Sequence, residues 1–265
     1  QAILERRKPI PIPDERAELE RILRPMAFDW KKLTALDCFT GREWALEKAK
    51  EWAANPNASR IFRIWGEPGT GRSAIAAWLV REMPEFIQAI HFCDRNDEEK
   101  PNINRIICSI ACQLAFCLED YGQILKDKVF KKEKRYSNPM IEPRKLFEEL
   151  IIDPFTHLKV QRKDLFTQPV TLVIDGPDDD EGLEIKHEMA QLIRDRELQN
   201  KTPAWIRWII TSRCELLILL LYKGTPIQVD LYIEENQRAD FRASTRKDFP
   251  AYSQNKSGKT FWRHW

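Results

Sequence analysis

The residues best suited to chemistry lie in one run, Gly66-Glu67-Pro68-Gly69-Thr70-Gly71-Arg72-Ser73. Its spacing is G-x-x-x-x-G-[K]-[ST], with Arg72 where the pattern has lysine. A loop of this kind wraps phosphate oxygens with successive backbone N–H groups, and a Cβ at Gly69 or Gly71 obstructs that approach. A helix starting directly afterwards adds the partial positive charge of its N-terminus. Gly66, Gly69, Thr70, Gly71 and Arg72 are thus the expected phosphate cradle, and the Ser73 hydroxyl is placed to ligand Mg2+. Lysine is a compact point charge, whereas arginine carries its charge on a bulky planar fork. Arg72 therefore either crowds the loop or reaches the phosphates with altered geometry, and hydrolysis is expected to suffer. The plainer reading is a glycine-rich turn joining strand to helix. A second motif, Ser257-Gly258-Lys259-Thr260, has Ser253 where the first glycine belongs and lacks a leading strand.

Two further clusters fit the same chemistry. Val170 to Asp180 reads VTLVIDGPDDD. An aspartate at the tip of a buried strand is where such a protein holds Mg2+ through water, which is the role expected of Asp175. Asp178 and Asp179 follow, and one of them could polarise an attacking water, Asp179 being the favoured one. Alternatively Asp178 to Glu181 cap the next helix, where acidic residues do well. The strand IRWII ends on Thr211-Ser212-Arg213. Ligands of open α/β sheets bind outside the carboxyl ends of the strands, so Arg213 is placed to sense a γ-phosphate. Its alternative is a surface ion pair with the acidic run.

These clusters need strands and helices to hold them. IFRIW (61–65), FIQAIHFC (86–93), VTLVI (170–174) and IRWII (206–210) read as buried strands, with 227–231 a candidate fifth. Thr40-Gly41-Arg42-Glu43 fits a capping box before a helix burying Ala45, Ala49, Trp52 and Ala53. Further helices are expected at 73–80, 102–118, about 146–153 (stopped near Pro154) and 182–195, with a lysine-rich connection from Lys126 to Arg135. Strands alternating with helices imply an α/β fold, a mainly parallel sheet flanked by helices in three layers.

Composition narrows the classes. The chain has 265 residues, with 43 Lys and Arg against 41 Asp and Glu. So even a balance gives no argument for a nucleic-acid or anionic-membrane protein. The longest apolar run, Leu216 to Tyr222, is far too short to cross a bilayer. The six cysteines form no CxxC pair, which reads as reduced thiols in the cytoplasm. His91, Cys93, Cys108 and Cys112 could be imagined as a zinc site, but core packing is the favoured reading. An N-terminal Gln without an apolar h-region suggests a fragment or a processed product carrying no signal peptide.

In order and spacing, these motifs resemble the NACHT-type P-loop domain of STAND NTPases, nearest to its fungal and bacterial members, including the nephrocystin-like N-terminal type. The resemblance runs from about Cys38 to Phe249. It is carried by Phe39-Thr40-Gly41-Arg42-Glu43, GEPGTGRS, His91-Phe92-Cys93, Ile110 to Leu114, FEELIIDPF, Val173-Ile174-Asp175-Gly176, Thr211-Ser212-Arg213 and Ala239-Asp240-Phe241-Arg242. It implies an ATP or GTP switch that rests with ADP or GDP and Mg2+, exchanges on sensing a ligand, and forms homo-oligomers that activate an effector or sensor domain outside this chain. No membrane or nucleic-acid partner is expected. The resemblance sets Phe39 and Arg42 near the base. It divides the chain into a linker or approach helix (1–36), a P-loop core (37–232) and a C-terminal helix and tail (233–265). Arg72, and an end at Trp265 before any winged helix, favour a second expectation: a nucleotide-free scaffold for protein interaction.

Overall fold

The computed structural model describes residues 13–26, 32–33, 41–93, 102–136, 141–161, 169–177, 188, 191–193, 195–212 and 229–233. In chain order the elements are α1 (Pro13–Leu23), α2 (Glu43–Ala54), β1 (Ile61–Gly66), α3 (Arg72–Glu82), β2 (Ile87–Phe92), α4 (Ile103–Cys117), α5 (Glu119–Lys131), α6 (Glu133–Tyr136), α7 (Pro143–Phe147), a π turn (Glu148–Ile152), α8 (Asp153–Gln161), β3 (Val170–Asp175), α9 (Arg196–Lys201), β4 (Ile206–Ser212) and β5 (Val229–Ile233). They divide into two compact units, one built on the sheet and one of helices.

The sheet unit holds all five strands in the order β2-β3-β4-β1-β5. Strand β1 pairs in parallel with β4 and β5, and β2 with β3: Ile64 lies beside Thr211 and Leu231, and Ile90 beside Val173. Strands β1 to β4 are buried almost throughout, as near-continuous apolar runs of a parallel sheet require. One face of this sheet is covered by α2 and α3. Phe62, Ile64, Val173 and Ile209 join Ala49, Trp52, Ile75, Ala76 and Leu79 in a single core cluster. The α/β class and parallel sheet match the expectation from the sequence.

The C-terminal end of α2 is fixed by a buried cation. Arg207 donates to the carbonyls of Trp52 (2.7 Å), Ala53 (3.3 Å) and Asn55 (2.7 Å) and lies over the Trp52 ring. These carbonyls have no partners within the helix, and a cation there also opposes the helix dipole. The start of α2 departs from the expected capping box. The helix begins at Glu43, so its carboxylate is too early to act as the third helical residue and instead accepts from the Gly41 N–H (3.1 Å).

In the helical unit, α1 lays Leu19, Ile22 and Leu23 into the core, and α4 contributes Ile106, Ile107, Ile110 and Leu114. Asn102 caps α4 by accepting from the Asn104 N–H (2.8 Å), one of the orphan donors of a helix start. Two expectations fail in this unit. Residues 126–135 are not a connection: they finish α5 and enter α6, because Leu125, Val129 and the buried Lys126 face inward while Lys131, Lys132 and Lys134 stay exposed. Pro154 does not stop its helix either. Proline removes an N–H and crowds the preceding turn. The chain absorbs this with a π turn over Glu148–Ile152, and the helix continues as α8. The Leu150 carbonyl, four residues before Pro154, accepts instead from the Tyr121 hydroxyl at 2.5 Å. Around it Tyr121 packs on Phe155 (4.6 Å) and Phe155 edge-on to Trp205 (4.9 Å). Residues 182–195, expected as one helix, are mostly outside the described residues.

Candidate functional site

Strand β1 delivers the chain to the carboxyl edge of the sheet at Gly66, and α3 begins six residues later at Arg72. The intervening loop turns on two glycines with positive φ, Gly69 at 81° and Gly71 at 90°. Side chains rarely adopt that backbone. The loop braces itself: the Thr70 N–H (3.2 Å) and hydroxyl (2.8 Å) both donate to the Glu67 carbonyl. Gly71 is the N-cap of α3, and its carbonyl accepts the first helical bond, from the Ile75 N–H (2.9 Å). A Cβ built on Gly71 meets nothing within 4 Å. The glycine is therefore not demanded by packing. It combines a left-handed turn with open space at a helix N-terminus, where an anion fits.

Arg42 stands just before α2 and is almost fully buried, at 2% exposure. Its guanidinium donates to the Thr70 carbonyl at 3.2 Å, so it grips the loop's backbone. Arg72, 6% exposed, opens α3, and Ser73 follows it half-buried in the first turn. Arg72 thus enters the helix at the first turn, the end where the dipole is already positive.

Asp175 ends β3, two residues beyond Val173 and hence on the sheet face that α3 covers. It is 2% exposed. Its Oδ1 accepts from the Thr211 hydroxyl at 2.6 Å, while Thr211 Oγ1 accepts from the Gly176 N–H at 2.8 Å. The Asp175 carbonyl accepts from the Cys93 N–H (2.9 Å), continuing the β2–β3 ladder past its end. Thr211 was read in the sequence only as part of a strand end leading to Arg213. A threonine one residue before the tip of a strand was the available signal, but nothing in one sequence says which carboxylate it meets.

The sheet unit therefore brings Gly66, Gly69, Thr70, Gly71, Arg72, Ser73, Arg42 and Asp175 to its carboxyl edge. Phe39, Asp178, Asp179 and Arg213 lie outside the described residues. Open space at a left-handed glycine, a helix N-terminus, a hydroxyl and a buried carboxylate suit a nucleotide phosphate with Mg2+, an ion usually held by one or two side chains, phosphates and water. Among the described residues no cluster of three or more His, Cys, Asp or Glu could hold a metal by itself. The cysteines of α4 are poor ligands. Burial pushes the Cys108 thiol up to about 12 and holds the Cys112 thiol well above its ordinary range, against the thiolate that zinc needs. Burial, with Lys32 nearby, lowers His91 to about 4. No helix among the described residues is long and apolar enough to cross a membrane.

Solved structures with a partly similar fold include Cdc6p from Pyrobaculum aerophilum, at 14% identity and a TM-score of 0.47, covering 86% of this chain and 53% of that one. The Aeropyrum pernix Orc1 protein in complex with DNA matches at 13% and 0.44, covering 77% and 49%. Domain III of the Thermotoga maritima replication initiation protein DnaA matches at 15% and 0.32, covering 77% and 68%. The chain thus spans about half the length of the first two. No curated protein matches its sequence. Residues 41–213 match the profile of the family described as Nephrocystin 3, N-terminal. That span holds the glycine loop, the β3 tip and the end of β4, in agreement with the resemblance read from the sequence, and the chain belongs to this family.

Proposed function

We propose that this chain binds ATP or GTP with Mg2+ at the loop of residues 66–73 and works as a signalling switch with slow or impaired hydrolysis. The observation that carries the reading is Gly71: a φ of 90° at the N-cap of α3, with open space where a Cβ would stand. The loop N–H groups and the α3 N-terminus bind phosphate oxygens, and Arg72 adds charge. Arg42 holds the Thr70 carbonyl turned toward itself and so steadies the loop. Ser73 and Asp175 hold Mg2+, which when bound neutralises charge on the phosphates. Asp179 or Asp178 orients water, and Arg213 reports the γ-phosphate. Phe39 lies beside the base. Slow turnover follows from Arg72, whose fork cannot take the compact position of a lysine ammonium. In this reading ADP or GDP occupies the resting protein, exchange promotes self-association in the cytoplasm, and the signal passes to a domain outside residues 1–265.

One observation favours a competing reading. The buried Arg72 stands where lysine is expected, which suits a P-loop fold that has given up nucleotide and serves as a protein scaffold. Titration with a fluorescent ATP analogue, with and without Mg2+ and beside Arg72→Lys, separates the two. Micromolar, Mg2+-dependent binding by the parent supports the switch. Binding by Arg72→Lys alone supports the scaffold.

A further inference from the structure

We propose that Thr211 is a positioning residue for the Mg2+-binding carboxylate, a role that rests on the nucleotide reading above. Its geometry fixes the direction of each bond. The Gly176 N–H can only donate, so at 2.8 Å it takes a lone pair of Thr211 Oγ1. The hydroxyl proton is then directed to Asp175 Oδ1, 2.6 Å away. Thr211 is 1% exposed and Asp175 2%, so water does not compete for either bond. The one hydroxyl thereby clamps two consecutive residues: the carboxylate at the tip of β3 and the backbone of the turn that follows it. That turn has a positive φ at Gly176, 62°, and leads toward the acidic run that begins at Asp178. A β-branched side chain has few χ1 choices, so Thr211 presents its hydroxyl in one direction. It also lies in the parallel register beside Ile64 of the strand that carries the phosphate loop. Strand β4 thus ties the carboxylate's orientation to the strand delivering the loop. Partners of this kind, which orient a metal-binding side chain, typically change metal affinity by about ten- to a hundredfold when removed.

The test compares full-length parent, Thr211→Val and Thr211→Ser. Each is titrated with a fluorescent ATP analogue at a series of Mg2+ concentrations, with the melting temperature and the amide exchange of Gly176 measured in parallel. Thr211→Val keeps the shape and removes the hydroxyl. It is expected to raise the Mg2+ concentration for half-maximal binding about ten- to a hundredfold, to leave Mg2+-free nucleotide affinity unchanged and to speed exchange at Gly176. Thr211→Ser keeps the hydroxyl and is expected to stay within about threefold of the parent. If Thr211→Val does not fold, Thr211→Ala takes its place with the same expectation. A Mg2+ requirement equal to the parent's in the hydroxyl-free variant overturns the proposal, even if its melting temperature falls. Equal impairment of the serine and valine variants overturns it as well, because then volume and not the hydroxyl matters. A parent chain that binds no nucleotide at any Mg2+ concentration overturns the nucleotide reading itself, and this inference with it.

Discussion

The backbone leaves regular geometry in both units, and the two departures are resolved in opposite ways. In the helical unit Pro154 forces a π turn, and the molecule closes the defect internally with the Tyr121 hydroxyl on the Leu150 carbonyl. In the sheet unit Gly69 and Gly71 turn the chain through left-handed conformations, and the space beside Gly71 is open. The first irregularity is repaired by packing, so it reads as structural. The second is braced by Thr70 and Arg42, and among the described residues nothing stands within 4 Å of where a Gly71 Cβ would lie. Irregular backbone that is braced but unfilled is what a ligand loop requires.

The largest expected effect sharpens this contrast at Gly71. Gly71→Ala meets no clash, so its effect on folding is the left-handed strain alone, about 1–2 kcal/mol. Its methyl would intrude on the phosphate. Losing two charge-assisted hydrogen bonds at about 1.5–3 kcal/mol each lowers nucleotide affinity by about a hundredfold or more. Calorimetric titration beside thermal melting measures both. A variant that binds as well as the parent breaks the comparison.

Next is Arg207→Met, which strips α2 of the cation on its last carbonyls. We expect a stability loss of about 3 kcal/mol by urea denaturation, with nucleotide affinity unchanged wherever the protein is folded. A change in affinity without a change in stability would show that the sheet unit's scaffold and its loop are not separable.

His91 gives an effect of similar size that depends on pH. Its imidazole is held neutral, lowered to about 4 by burial and then by Lys32, whereas the unfolded chain takes up that proton below about 6.5. Its contribution is fully present above pH 6.5 and is lost as pH falls toward 4, reaching about 3 kcal/mol there. Urea midpoints of the parent and His91→Leu should therefore converge in neutral buffer and separate in favour of the leucine variant on acidification. Parallel pH profiles would contradict this.

The smallest effect lies at the repaired defect. Tyr121→Phe leaves the Leu150 carbonyl buried without its donor, and stability should fall by about 2 kcal/mol. Nucleotide affinity should not move. Loss of affinity in this variant would mean that the π turn serves the loop, erasing the distinction drawn above.

The sheet was legible because its strands are short apolar runs with no rival helical pattern. The loop was legible because glycine spacing states a backbone requirement directly. Ala45, Ala49, Trp52 and Ala53 likewise face the core as their spacing predicts. What was not legible depended on partners distant in the chain. Residues 126–135 looked like a charged connection because their apolar positions are sparse, and only packing in the unit makes them helix. Pro154 looked like a stop because the hydroxyl that compensates for it belongs to Tyr121. Thr211 is marked in the sequence only by its place one residue before a strand tip, since its meaning comes from Asp175 and Gly176 across the sheet. The resemblance sets Arg42 near the base, and its grip on the Thr70 carbonyl joins residues 28 positions apart in the chain.

The strand order also bears on how the protein is made. Strand β1 has β4 and β5 as its neighbours, so Ile61 pairs with Trp208 and Phe62 with Val229. During synthesis β1 leaves the ribosome long before either partner, and every contact that flanks it spans most of the chain. Closing such distant pairs is slow, and an unpaired apolar strand is exposed to misassembly in the meantime. Strands β2 and β3 adjoin each other and need less of the chain to meet. The glycine loop is encoded early, yet its strand is among the last in the sheet to gain both flanking strands. A pause or truncation after β3 would therefore yield a chain with its helices largely translated and its phosphate loop still unsupported.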